Sequence, residues 1–262
     1  MTNDKELTVY TALDEALENR EEVRHLDLSG NKMEIFPPEI RELKNLEILN
    51  LDGNAIKELP GWIGELTELR ELKMSDSYLP SLPESFGNLA KLEKLNLEWN
   101  YLYELPESFG NLKSLKKLIF TAAQFKTLPE SFGRLSSLAV LKISDSELLT
   151  LPESFGDLEN LREATLNNNK LTGLPESIGN LGSLAVLWIN GNEITELPET
   201  IGNLKSLREL YLDENPLEGL PESITNLVTL ESCDVFDDDL TTPSGVDLYS
   251  FTSENEKRLN GD

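Results

Sequence analysis

Residues Leu92 to Ser114 read LEKLNLEWNYLYELPESFGNLKS, and the reading of this stretch decides the fold. It is one of nine copies of a 23-residue unit that run from Val23 to Thr229 without an insertion. Counted from the first leucine, position 4 is leucine in every copy except Ala164. Positions 1, 6, 11, 14, 18 and 21 are apolar throughout. A single unit cannot bury seven such positions. A stack can, because each copy covers its neighbour's flank.

Within the unit, apolar residues at positions 4 and 6 alternate with outward residues at 3 and 5, which is a strand period. Successive strands are expected to stack in parallel. Asparagine stands at position 9 in six copies: Asn31, Asn54, Asn100, Asn169, Asn192 and Asn215. A buried amide there can bond backbone groups that the turn leaves unpaired. Leu-Pro follows at 14 and 15 in most copies, with proline in all nine, and proline suits the first position of a helical turn. Glycine at position 19, in seven copies, is read as the residue that lets the chain turn back. The return segment has room for one short helical turn, in places 3₁₀.

The motif L-x-x-L-x-L-x-x-N-x-L-x-x-L-P-E-S-I-G-N-L resembles the leucine-rich repeat family, in the 23-residue class of spirochaete and plant Ras-group members. The segment YTALDEALENREEVRHLDLSGNKMEIFPPEI is similar to the start of the spirochaete set. The resemblance implies an α/β solenoid, a horseshoe with a concave parallel β-sheet and convex 3₁₀ turns. It also implies a protein partner on the concave face. Some members are secreted by pathogens and bind host proteins, and others act inside cells.

Around the repeats the chain divides into residues 1–22, residues 23–229 and residues 230–262. In the first segment Leu7, Tyr10, Leu13 and Leu17 fall at helical spacing. They predict an amphipathic capping helix over the open edge of the first strand, with Thr11 and Asp14 as its start signal and Asn19 as its end. In the last segment Leu230, Cys233 and Val235 begin a partial tenth repeat. Asp237, Asp238 and Asp239 guard its edge, and Leu248, Tyr249 and Phe251 anchor a tail.

Net charge is −25, from 48 acidic against 23 basic residues. Such a surface repels phosphate backbones and anionic lipid heads, which argues against nucleic acid and membrane partners. No apolar run reaches the roughly 20 residues that a membrane helix needs. The start, MTNDKELTVY, lacks the order of a signal peptide, so the expected compartment is the cytoplasm and the expected state a monomer. A secreted effector or surface adhesin is the alternative. A lone Cys233 excludes an internal disulfide and is read as an inward structural thiol. One histidine, His25, has no nucleophile that the sequence can place beside it. There is no phosphate-cradling glycine loop and no zinc spacing, so neither enzyme, cofactor nor metal centre is expected.

The candidate surface is then the set of outward strand positions. Trp188 and Tyr211 are neighbours at position 5 of adjacent repeats, with Val186 on the same face. Nothing in the repeat requires an aromatic there, and exposed aromatics are enriched at binding hot spots. The competing reading is plain strand packing. Lys73, Lys94, Lys117 and Lys142 form a second group beside Ile119, with Trp99 at its rim. They either steer an oppositely patterned partner or neutralise the acids around them. A column of glutamates at position 16, Glu84 through Glu222, reads as a solvated edge, with a bridging divalent cation as the minor alternative. Repeats 3, 5 and 6 carry Ser77, Ala123 and Ser146 in place of the asparagine, and repeat 5 is the expected weak point.

Overall fold

The computed structural model describes residues 8–234. The expectations for Leu7, Val235, the Asp237 run and the tail fall on residues outside that range. Among the described residues eleven parallel strands form one sheet in strict sequence order. They are β1 (Val9–Tyr10), β2 (His25–Asp27), β3 (Ile48–Asn50), β4 (Glu71–Lys73), β5 (Lys94–Glu98) and β6 (Lys117–Thr121). β7 (Val140–Ser144), β8 (Glu163–Thr165), β9 (Val186–Trp188), β10 (Glu209–Tyr211) and β11 (Ser232–Asp234) complete the sheet. From β2 onward, each residue pairs with the one 23 positions later, as in His25 with Ile48 and Glu209 with Ser232.

Each of the nine repeats returns through a 3₁₀ helix, among them Pro38–Glu42, Glu84–Asn88 and Glu222–Asn226. The proline sits one residue earlier than expected. In Glu84–Asn88 it is the N-cap, Pro83, with ψ 153°, and its carbonyl accepts the first turn's bond from Phe86 N at 2.9 Å. Between strands and turns runs one continuous core of the seven apolar columns. At position 18, Phe86, Phe109, Phe132 and Phe155 stack face to face at 6.2 to 6.4 Å, their planes within 3°.

The position 19 glycines have a different reason from the one expected. Gly87, Gly110, Gly133, Gly156, Gly179 and Gly202 do not lie at positive φ. A Cβ on any of them would meet the carbonyl oxygen at position 17 of the next repeat, at 2.0 to 2.4 Å. The residue is needed for close approach between neighbouring turns, not for a left-handed bend.

The left-handed bend is at position 8. All nine copies, Gly30, Gly53, Asp76, Trp99, Ala122, Asp145, Asn168, Gly191 and Glu214, have φ between 52° and 68°. The bend ends each strand and turns position 9 inward. There the asparagine does the expected work. Asn192 Nδ2 donates to Leu166 O at 3.0 Å and Ile189 O at 2.8 Å, while its Oδ1 accepts from Leu171 N at 3.0 Å. Asn54, Asn100, Asn169 and Asn215 repeat the pattern. Asn31 does not: it is exposed and reaches only Ser29 O, at 3.5 Å. No earlier repeat presents it with a carbonyl.

In repeat 5, Ala123 is buried and its N–H donates to Ser146 Oγ at 3.0 Å. Ser146 in turn donates to Ser144 O at 2.8 Å. Serine thus replaces part of the amide ladder, and the strands β5 to β7 lengthen to five residues at the same place.

The N-terminal cover differs from the expected helix. Val9–Tyr10 is a strand, paired with β2 through Val9 with His25 and Tyr10 with Leu26. Only α1 (Leu13–Glu18) is helical, its N-cap is Ala12 rather than Thr11, and no side chain caps it. A bare strand edge offers unmade backbone bonds, and the β-favouring Val9 and Tyr10 take them. Asn19 does end α1, with its Nδ2 on Glu15 O at 2.9 Å. Trp62 packs edge-on against Phe36 at 5.4 Å.

Candidate functional site

The fold fixes which side chains are free. Positions 4 and 6 point into the core, so positions 3 and 5 of each strand share the outer, concave face. The cross-strand register places Trp188 beside Tyr211 and Val186 beside Glu209. The two rings meet edge to face at 5.5 Å, with planes at 75°. Trp188 is 38% exposed and Tyr211 is half-buried. Two weak polar contacts fix the pair: Trp188 Nε1 donates to Glu209 Oε2 at 3.4 Å, and Ser232 Oγ reaches the Tyr211 hydroxyl, also at 3.4 Å. The result is an amphipathic ledge, partly exposed, with apolar ring surface and polar tips.

The lysine group resolves largely into neutralisation. Glu71 holds Lys73 at 3.1 Å and Lys94 at 3.0 Å, and Glu98 holds Lys142 at 3.5 Å. Partial burial works to raise the Glu71 carboxyl, but the bonds from Lys94 and Lys73 outweigh it and hold it below the usual range. Lys117, among the described residues, has no carboxylate at ion-pair distance. It lines a depression of about 310 Å³ together with Ile119, Asn96, Lys94 and Lys73. Exposed pairs of this kind contribute about 0–1 kcal/mol each, so their role is charge pattern more than stability.

The position 16 glutamates have a backbone role. Glu84, Glu153 and Glu199 accept from the N–H of Ser108, Ser177 and Ser223 in the next repeat, at 3.4, 3.3 and 3.1 Å. No group of three or more His, Cys, Asp or Glu that could hold a metal ion occurs among the described residues. Nor is any helix of the described residues long and apolar enough to cross a membrane. His25 on β2 and Cys233 on β11 stand at opposite ends of the sheet. Cys233 packs on the core and is half-buried. Burial first, then the charges of Asp234 and Asp213, pushes its thiol up to about 12.

Two features escaped the sequence reading. At position 2 the charges alternate along the stack, Arg24, Glu47, Arg70, Glu93 and Lys116, with successive contacts of 3.6, 3.5, 2.7 and 2.6 Å. Reading that column downward would have shown it. The second is an aromatic loop. Trp99, Tyr101 and Tyr103 alternate with the buried Asn100 and Leu102, and all three rings are exposed. Trp99 sits there at φ 56°. A non-glycine residue in that region costs about 1–2 kcal/mol, and tryptophan has no polar atom near its backbone to offset it.

The register, the asparagine ladder and the 3₁₀ returns coincide with a leucine-rich repeat region model that matches residues 14–99 and 153–248. A leucine-rich repeat model matches residues 91–112 between those two stretches. The chain belongs to the leucine-rich repeat family. Among solved structures, a leucine-rich repeat protein of Leptospira interrogans is 32% identical with a TM-score of 0.74, over 90% of this chain and 70% of that one. A TDR receptor is 29% identical with the same TM-score, over 86% and 44%. The Arabidopsis receptor kinase HAESA, solved with the peptide hormone IDA and the co-receptor SERK1, is 31% identical with a TM-score of 0.67, over 81% and 41%. This leucine-rich repeat chain thus spans less than half the length of those two receptor chains. No curated protein sequence matches it significantly.

Proposed function

We propose that the protein is a non-enzymatic scaffold that binds another protein on its concave face, with Trp188 and Tyr211 as anchors and Val186 beside them. The observation that carries this is an exposed tryptophan at a strand position where the repeat asks for no apolar side chain. Similarity to a receptor solved with its peptide hormone and co-receptor supports the same reading. Lys73, Lys94 and Lys142, paired by Glu71 and Glu98, and Lys117 beside them would set orientation rather than affinity.

The test compares immobilised wild type with a Trp188→Ala/Tyr211→Ala double variant in lysate of the native cells. The expected result is at least a tenfold loss of one or more retained partners. Hot-spot aromatics are worth about 2 kcal/mol or more each, and tenfold is about 1.4 kcal/mol. The urea midpoint should change little, since neither ring belongs to the core. Equal recovery of every partner would move the site off this ledge.

A further inference from the structure

The exposed large apolar side chains are not evenly spread. Four of those among the described residues, Tyr78, Trp99, Tyr101 and Tyr103, occupy two consecutive repeats, at 51%, 59%, 47% and 65% exposure. Tyr78 and Tyr101 share position 10 and stack at 6.0 Å with planes 22° apart. Trp99 and Tyr103 stand two residues to either side of Tyr101, with the buried Asn100 and Leu102 between them. Tyr78 and Tyr101 cover each other's facing ring planes, while Trp99 and Tyr103, with no aromatic ring against them among the described residues, are the more exposed, on a stretch of loop that is distinct from the strand ledge at Trp188.

The backbone adds a second observation. Position 8 is left-handed in every repeat, and the other copies fill it with glycine, aspartate, asparagine, alanine or glutamate. Tryptophan is the bulkiest choice for that conformation, and its ring is the most exposed of the three tryptophan-repeat neighbours' outward groups save Tyr103. Six copies carry a non-glycine residue in this conformation, but only Trp99 places an aromatic ring there, and with that ring out in solvent the strain serves no packing purpose. The charges around the rings decide the ligand. Asp76 and Glu104 are exposed beside them, and Glu98 is half-buried next to Trp99, its carboxylate shared with Lys142. Lys126 is the cation that borders the far side, beside Tyr103 in the stack. On a chain of net charge −25, this is an aromatic face in an acidic field.

We propose that Tyr78, Trp99, Tyr101 and Tyr103 form a second docking face, for an arginine-bearing segment of a partner protein. A guanidinium is planar, stacks on aromatic faces and takes a carboxylate in bidentate fashion; an ammonium is a compact, strongly hydrated charge that does neither as well. Asp76, Glu98 and Glu104 supply the carboxylates, and Trp99 and Tyr103, the rings not stacked on a neighbour, supply the planes. This face does not depend on the Trp188–Tyr211 ledge and stands whether or not that ledge binds.

Fluorescence anisotropy with labelled nine-residue peptides tests it: alternating Arg-Gly, alternating Lys-Gly and alternating Glu-Gly. The Arg-Gly peptide should bind wild type at least tenfold more tightly than Lys-Gly, and Glu-Gly should not bind. Trp99→Gly should weaken Arg-Gly binding at least tenfold while raising the urea midpoint, because glycine relieves the left-handed strain. Tyr101→Ala should weaken it similarly, and Trp188→Ala/Tyr211→Ala should leave it unchanged. No binding of Arg-Gly, equal binding of Arg-Gly and Lys-Gly, unchanged binding by Trp99→Gly, or a lowered midpoint for Trp99→Gly would each overturn the proposal. Equal binding of the two cationic peptides would mean attraction to net charge alone.

Discussion

Gly133→Ala should lower stability by about 3 kcal/mol, the upper part of the range for overpacking a filled interior. The added Cβ would lie 2.0 Å from the Ser154 carbonyl oxygen, 2.7 Å from its carbon and 2.8 Å from Ser154 Cβ. Two of those atoms are backbone, so no rotamer change relieves the contact. Relief requires repeats 5 and 6 to move apart, and there Phe132 stacks on Phe155 at 6.4 Å. Gly182→Ala is the matched control, since its Cβ would meet nothing within 4 Å. Urea unfolding followed by circular dichroism should show a large drop in midpoint for the first and almost none for the second. Similar midpoints would mean that the turns are not in close contact and that glycine stands there for some other reason.

The second large effect is expected at the asparagine ladder. Asn169 Nδ2 donates to Ile143 O at 2.7 Å and Leu166 O at 2.9 Å, and its Oδ1 accepts from Leu148 N at 3.3 Å. Leu166 O keeps a bond from Asn192 when Asn169 is removed. Ile143 O and Leu148 N lose the amide that serves them. Each buried polar group stripped of its partner costs about 1–3 kcal/mol, so Asn169→Ala should cost about 2–6 kcal/mol. Asn31→Ala, at the same repeat position but exposed, should stay within about 0.5 kcal/mol. If the two variants unfold at the same urea concentration, the ladder is not what joins the repeats.

Both predictions show where the sequence was readable and where it was not. The core columns were legible because a fixed 23-residue period leaves one consistent assignment of inward positions, and Trp188 and Tyr211 follow from that register. The inward asparagine was legible for the same reason, but Asn31 was not separable from Asn54 until the missing neighbour was seen. The glycine reading failed because sequence shows that a position excludes side chains without showing why. Position 19 excludes them by contact with the next copy, whereas the true positive-φ column, at position 8, tolerates Asp76, Trp99, Ala122 and Glu214. Propensity misread the first segment: Leu7, Tyr10, Leu13 and Leu17 have helical spacing, but the open edge of β2 draws Val9–Tyr10 into the sheet. The lysine group shows a further limit. Lys73, Lys94 and Lys142 were visible as charges, and only coordinates could attach them to Glu71 and Glu98.

Apart from the Glu98–Lys142 pair, two repeats apart, the described repeats join to their immediate neighbours, through columns that any two copies can share. Deleting one whole unit, residues 138–160, tests this most directly. Ser137 then leads into Leu161 in register, Gly133 faces Ser177, and Asn169 meets the Phe120 carbonyl and the Phe125 N–H in place of repeat 6. Urea unfolding of the shortened chain should remain a single cooperative transition, with the m-value reduced by about a tenth, in proportion to the surface removed. Loss of the cooperative transition, with a disordered circular dichroism spectrum in buffer, would contradict it.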